Sequence, residues 1–349
     1  MEVDFQKWAV VSLNDDTGLG RLAEDAKSVL GVRQLVIPSE RMTTKPLTPG
    51  RDVLIRPDIS EREMEEALDG LQGLIMLERH WWHPLLLRAA LRRGVRLVVL
   101  PNWEWFRGCD AEWGGFDAIL CPSEYTLRVV RGFGWKKSQL ITVPLDLRRF
   151  PAREVRGSGR IFFHNAGLID PDDRKATRDT ILAFRRVARR DVRLIVRLQQ
   201  EEQLPPFDGR IEVRIGNLPR HGALYAEGDV AVQPSKMEGI GFMVIEPVIC
   251  GVPTITTDYP PMNEHVTQPD LLVRKRWFKR SSFPARAAGM RHAHLRLPSG
   301  RDLVRRIEWC ADHDLTAISR ENRARSVQRY DVARLRDEWS RALAPLAHG

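Results

Sequence analysis

The sequence predicts an α/β protein made of two consecutive doubly wound domains. Three observations lead there. Short apolar runs alternate with helical patterns from Trp8 onward. The alternation halts in an Arg-, Pro- and Gly-rich segment, Leu147–Gly159, and then restarts. At 349 residues the chain exceeds one ordinary core and suits two.

In the first half, Trp8–Leu13 is a short apolar run followed by Asn14-Asp15-Asp16-Thr17-Gly18-Leu19-Gly20 and a helical pattern through Leu30. Further runs fall at Gln34–Ile37, Gly73–Leu77, Arg96–Leu100, Ala118–Cys121 and Leu140–Val143, with helical stretches at Pro84–Arg93 and Glu124–Gly132. Strands alternating with helices form a parallel sheet covered on both faces. In the second half, strands are expected at Arg160–His164, Arg193–Leu198, Ile211–Ile215, Val230–Gln233 and Pro253–Thr257, and an amphipathic helix at Arg174–Ala188. After Asp258 the pattern turns mainly helical and ends in a stretch from Asp331 to Leu346. The expected domains are residues 1–150, joined by the C-terminal helix 331–346, and residues 151–330.

Composition excludes several classes. Hydrophobic residues make up 43% and charged residues 29%, a globular balance rather than a disordered one. No run approaches the roughly 20 apolar residues of a membrane-spanning helix, and the N-terminus lacks the pattern of a signal peptide. Cys109, Cys121, Cys250 and Cys310 are dispersed, which fits buried thiols in a reducing cytoplasm. The net charge of +9 is local: residues 1–150 carry 21 basic and 21 acidic residues, whereas 274–306 hold eleven basic residues against Asp302 alone. Nucleic acid is therefore not the expected partner.

The informative segment runs from Pro234 through Glu238-Gly239-Ile240-Gly241-Phe242 and Glu246 to Gly251-Val252-Pro253. Glu238 falls in a strand-to-helix loop, and Glu246 follows eight residues later, about two turns into the helix. Gly239 and Gly241 permit close approach of a ligand to the backbone. The free N–H groups at the helix start suit an anion such as a diphosphate. One carboxylate would then lie near a sugar and the other near a ribose. Taken alone, the segment is also consistent with an ordinary Gly-rich turn.

This segment resembles the E-x7-E signature of retaining GT-B glycosyltransferases, in particular family 4. Phe116–Thr126, Val143–Phe150, Arg174-Lys175-Ala176-Thr177 and Asp229-Val230 resemble other pieces of that family, in the expected order. The resemblance implies two Rossmann-like domains facing a cleft, with a C-terminal helix packing back toward the first. It implies transfer of a hexose from a nucleotide-diphosphate sugar of UDP or GDP type, with retention and with neither metal nor cofactor. By matching position, Glu246 binds the ribose, Glu238 holds sugar hydroxyls, and the N–H groups of Gly239, Ile240, Gly241 and Phe242 receive sugar or phosphate oxygens. Lys175 neutralises the departing diphosphate; its bland alternative is a solvated residue of a basic helix start.

Departures from the pattern are specific. Where the family has an Arg after the first strand of the second domain, this chain has Asn165, and Arg197 on the next strand is a candidate substitute. Where the family often has a sugar-contacting His, this chain has Asn102, followed by Trp103 and Glu104. Gly18 and Gly20 match the family's Gly loop at the donor phosphates, although a plain turn explains them equally. The cluster Arg79-His80-Trp81-Trp82-His83 with Trp103 and Trp105 reads either as a stacking surface for a sugar or acceptor or as core filler. Asp170-Pro171-Asp172 is a D-x-D only formally.

Residues 274–297 read as a basic insertion. It is either a surface excursion or a grip on an anionic acceptor or lipid headgroup, with Trp277 and Phe278 suited to a membrane interface. The expected location is cytoplasmic, with a peripheral membrane contact through this segment. The acceptor is expected to be a small molecule, a glycan or a lipid-linked hydroxyl. The rival reading is a polyanion-binding protein with a degenerate donor site.

Overall fold

The computed structural model describes residues 3–39, 42–79, 81–108, 111–218, 221–290 and 292–347. Its chain forms two compact units, Met1–Asp146 with Arg329–Gly349, and Leu147–Gln328. Both are parallel α/β layers, as the alternation predicts.

The first unit runs β1 (Trp8–Leu13), α1 (Gly18–Leu30), β2 (Arg33–Ile37), β3 (Asp52–Leu54), α2 (Glu61–Ala67), β4 (Gly73–Glu78), α3 (Pro84–Arg92), β5 (Arg96–Pro101), β6 (Ala118–Cys121), α4 (Glu124–Gly132) and β7 (Ser138–Leu140). The strand order is β3-β2-β1-β4-β5-β6-β7, all parallel, so the chain reverses direction between β1 and β4. Local chemistry sets the ends of α1. The Thr17 side chain accepts from Gly20 N–H, and Gly31 closes the helix at φ 86°, a conformation that costs glycine nothing. Helix α2, which the periodicity did not single out, opens on a capping box between Ser60 and Glu63.

The expected strand Leu140–Val143 is displaced: β7 pairs with β6 only through Ser138, Gln139 and Leu140. Beyond it the chain is held by the C-terminal helix, residues 332–347. Thr142 N–H donates to the Glu338 carboxylate at 2.7 Å, and Thr142 C=O accepts from Trp339 Nε1 at 2.9 Å. Ile141 N–H still donates to Cys121 C=O of β6 at 2.9 Å, and Ile141 and Val143 are buried, so their apolar pattern continues that of a strand without lengthening β7.

The second unit runs β8 (Ile161–Gly167), α5 (Thr177–Phe184), β9 (Arg193–Leu198), β10 (Ile211–Ile215), β11 (Val230–Gln233), α6 (Phe242–Cys250) and β12 (Thr254–Thr257), then β13 (Leu272–Val273), β14 (Lys275–Ser281), α7 (Phe283–Ala287), β15 (His294–Pro298), α8 (Gly300–Asp312) and α9 (Thr316–Arg329). Helix α10 (Val332–Ala347) belongs to the first unit. The main sheet has order β10-β9-β8-β11-β12-β13 and reverses between β8 and β11. Phe162, Phe184, Leu194, Val232, Val244, Ile255 and Ile307 form its core.

Two expectations fail here. Helix α5 occupies only Thr177–Phe184 of the expected 174–188; its start is delayed because Asp173 and Ala176 take left-handed φ of 48° and 59°. A helix cannot run through such residues. The basic segment is also more ordered than a helical or loop reading implied: β14 and β15 pair antiparallel as a separate two-stranded sheet. Four of the seven residues of β14 are Lys or Arg and all seven are exposed, so the strand carries no apolar alternation.

Cys121, Cys250 and Cys310 are buried free thiols. Burial pushes Cys121 and Cys250 up to about 12, and Cys310 up as well, so they stay protonated near neutral pH. Cys109 lies outside the described residues.

Candidate functional site

In open α/β sheets, ligands bind beyond the strands' carboxyl ends where the strand order reverses. In the second unit that place lies beyond β8 and β11, and the loops that follow these two strands are joined directly. Lys236 N–H donates to Arg174 C=O at 2.6 Å. Lys236 Nζ lies 2.9 Å from Asp179 and 3.5 Å from Asp173. The loop carrying Lys175 and the loop carrying Glu238 are thereby held at one end of the sheet. Asp173 is buried and also accepts the N–H groups of Thr177 and Arg178. Burial raises its pKa, and Lys236 opposes the rise.

Lys175 sits between the two left-handed residues. It is half-buried and has no counter-ion among the described residues. Ala176 takes a positive φ that Gly adopts without strain. Arg197 is different. Its guanidinium pairs with the nearly buried Glu227 carboxylate and donates to Gly216 C=O at 3.2 Å. Its charge is matched within the protein, which removes it as the natural stand-in for the missing Arg.

Glu238 accepts from Ser235 Oγ at 2.8 Å. Gly241 stands at φ 90° as the N-cap of α6 and offers no side-chain cap. Val244 N–H turns back to Gly241 C=O at 2.8 Å, which leaves the N–H groups of Phe242 and Met243 with neither an intrahelical nor a capping partner among the described residues. Glu246 is the fifth residue of α6, in the second turn rather than two full turns in. It is 5% exposed and accepts from the Tyr225 hydroxyl.

Two buried amides mark the same strand ends. Asn165 is 3% exposed and Gln233 0%, and no side-chain N or O of either has a hydrogen-bond partner among the described residues. Each lies two residues beyond the last pair of the β8–β11 ladder, Ala231 with Phe163. An unsatisfied buried polar group costs about 1–3 kcal/mol, so two together at a reversal point indicate groups that a ligand or water completes. Gln233 was not singled out from the sequence. Its signal is a polar residue ending the otherwise apolar strand Val230-Ala231-Val232. Tyr225 and Lys236 carried no such signal, since their roles depend on tertiary contacts.

On the opposite side of β8's chain, His164 is fully buried, 2.6 Å from Val232 C=O through Nδ1 and 2.9 Å from Thr177 Oγ1 through Nε2. Burial lowers its pKa to about 4; the Val232 bond opposes this and the Lys175 charge assists it. The unfolded imidazole titrates near 6.5, so its contribution is complete above that pH and is lost as pH falls toward 4. The window spans about 3 kcal/mol. Urea-unfolding free energies measured from pH 7 to 4 should fall more steeply for the parent than for His164→Asn. Equal slopes would assign the acid sensitivity elsewhere.

In the first unit, Gly20 is required by packing: a Cβ there would lie 2.4 Å from Asp15 C=O and 2.6 Å from Asp15 Oδ1. Gly18 is exposed at the first position of α1. Asn102 donates to Glu78 Oε1 at 3.3 Å, and its own Oδ1 has no partner among the described residues. Glu78 ends β4 at φ 70°, and Glu104 is buried nearby in sequence. Trp103 is buried edge-on to Tyr125 at 5.2 Å. Trp82 and Trp105 are buried as well, Arg79 lies over both rings, and Arg107 covers Trp81 at 3.9 Å. Most of this tryptophan cluster is core rather than an open stacking surface; His80 lies outside the described residues. The formal D-x-D is occupied, since Asp170 pairs with Arg174, and Asp172 with Arg280 and Ser282.

Residues 161–279 match the family described as Glycosyl transferases group 1. Among curated proteins none matches by sequence. Among solved structures, the chain is similar to Anabaena Alr3699/HepE in complex with UDP and glucose, at TM-score 0.68 and 12% identity over 97% of this chain and 99% of that one. It is similar to a glycosyltransferase from Rickettsia africae, at TM-score 0.65 and 11% identity over 98% and 99%. It is also similar to a putative UDP-N-acetylglucosamine 2-epimerase from Listeria monocytogenes, at TM-score 0.56 and 10% identity over 95% and 93%. The two parallel Rossmann-like units have the GT-B fold.

Proposed function

We propose that the chain is a retaining, metal-independent glycosyltransferase that moves a hexose from a UDP- or GDP-type donor to an acceptor hydroxyl. The observation that carries this reading is the stapled pair of loops beyond β8 and β11. They collect Lys175, Glu238, the uncapped start of α6 and Glu246 at the reversal point of one sheet. The group 1 match over this segment supports it. The fold alone would not decide it, because an epimerase shares the architecture.

In the proposed reaction, Glu246 holds the ribose hydroxyls and the α6 N-terminus receives the diphosphate. Glu238 holds the sugar hydroxyls. The bond between C1 and the phosphate oxygen breaks while the acceptor oxygen bonds C1 on the same face. The acceptor proton passes to the departing phosphate, and Lys175 stabilises the charge that develops there. Asn165 and Gln233 complete the donor's polar contacts, and Asn102 and Glu104 serve the sugar or acceptor. The proposed setting is the cytoplasm.

Calorimetric titration with UDP-, GDP- and dTDP-sugars in excess EDTA tests the reading. One donor should bind, and its transfer should persist without divalent ions, because helix amides and Lys175 face the diphosphate. Activity lost in EDTA and restored by Mg²⁺ or Mn²⁺ would contradict metal independence. A protein that binds no donor but retains a polyanion would instead favour the rival reading, which rests on the exposed basic sheet.

A further inference from the structure

We infer that the β14–β15 sheet is a docking surface for an anionic lipid bilayer. All seven residues of β14 are exposed. Trp277 is 92% exposed and Phe283, which opens α7, 82%; Phe278 lies between them in sequence, its ring 5.6 Å from that of Trp277. Single exposed apolar residues are ordinary. Two large aromatics left almost wholly in water within seven residues are not, because each forgoes the burial that stabilises it elsewhere. Along the segment the charge has one sign: residues 274–298 contain eight Lys or Arg and no Asp or Glu. Aromatic side chains at headgroup depth, ringed by cations, match an anionic membrane surface. A water-borne polyanion without rings to stack would use the cations and leave Trp277 and Phe283 without a role.

The sheet is held firmly from beneath. Leu295 and Ala293 are buried, and Ser282 and Arg280 both bond Asp172. Arg296 N–H donates to Lys236 C=O at 2.8 Å, and the Tyr259 hydroxyl lies 2.7 Å from His294 Nε2. Asp172 and Lys236 belong to the two loops of the candidate donor site, so docking places that site's edge at the headgroups. Only this functional link rests on the glycosyltransferase reading; vesicle binding does not.

Co-sedimentation with vesicles of phosphatidylcholine alone, and of equal parts phosphatidylcholine and phosphatidylglycerol, tests the inference. The parent should bind the mixed vesicles and not the neutral ones. The double variant Trp277→Ala, Phe283→Ala should lose binding by roughly tenfold or more, and so should Arg276→Gln, Lys279→Gln, Arg286→Gln. Brominated lipid should quench part of the parent's tryptophan fluorescence, and Trp277→Phe should lose that quenched part. Failure of the parent to sediment with the mixed vesicles overturns the proposal. So does a charge-only pattern, in which the glutamine variant fails, the aromatic variant binds like the parent, and a soluble polyanion displaces both. Donor titration of the same variants separates the two readings: vesicle binding without donor binding sinks the transferase assignment and leaves docking intact.

Discussion

Replacing Lys175 with alanine is expected to lower kcat by roughly a hundredfold, the scale seen when one preorganised group facing developing charge is removed. Nucleotide affinity should change far less, because the charge on the diphosphate grows chiefly as the glycosidic bond breaks. The structure makes this test sharper than the sequence did. Lys236 is tied between Asp173 and Asp179, and Arg197 is matched by Glu227. Lys175 is the lysine of these loops that has no counter-ion among the described residues. Single-turnover rates with saturating donor are the measurement. If they stay within about twofold, another cation supplies the charge.

Replacing Glu246 with alanine should weaken nucleotide diphosphate binding ten- to hundredfold, since hydrogen bonds to a charged acceptor contribute about 1.5–3 kcal/mol. Glu246 is nearly buried in the second turn of α6, and the Tyr225 hydroxyl aims at it. Tyr225→Phe should therefore give a smaller loss, by releasing the carboxylate's orientation without removing the acceptor. Calorimetry with the free nucleotide diphosphate reads both. Unchanged affinity in Glu246→Ala would take this residue out of the donor site.

The fold class was legible because alternating strand and helix patterns, and the turns between them, are written in neighbouring residues. Trp8–Leu13, Arg96–Leu100 and Val230–Gln233 show this directly. Legibility ended where a long-range contact replaced a local one. Residues 141–143 look like a strand, yet Thr142 between the apolar pair is held by Glu338 and Trp339, almost two hundred residues away. The start of α5 depends on Asp173 caps and two left-handed residues that no helical periodicity reveals.

For the site, the sequence by itself determined the spacing of Glu238 and Glu246 around a Gly-rich turn, since a strand–loop–helix of that length follows from local propensity. Only the tertiary structure decided which charges are available and which are matched. It placed Glu227 against Arg197, set Lys236 between two aspartates, and left the Asn165 and Gln233 amides without hydrogen-bond partners among the described residues. It also buried most of the tryptophans read as a stacking surface and left Trp277 and Phe283 in water. The physical reason is common to all of these. Whether a cation, an amide or an aromatic ring is free to act depends on neighbours brought from distant parts of the chain, and that information is absent from any local pattern.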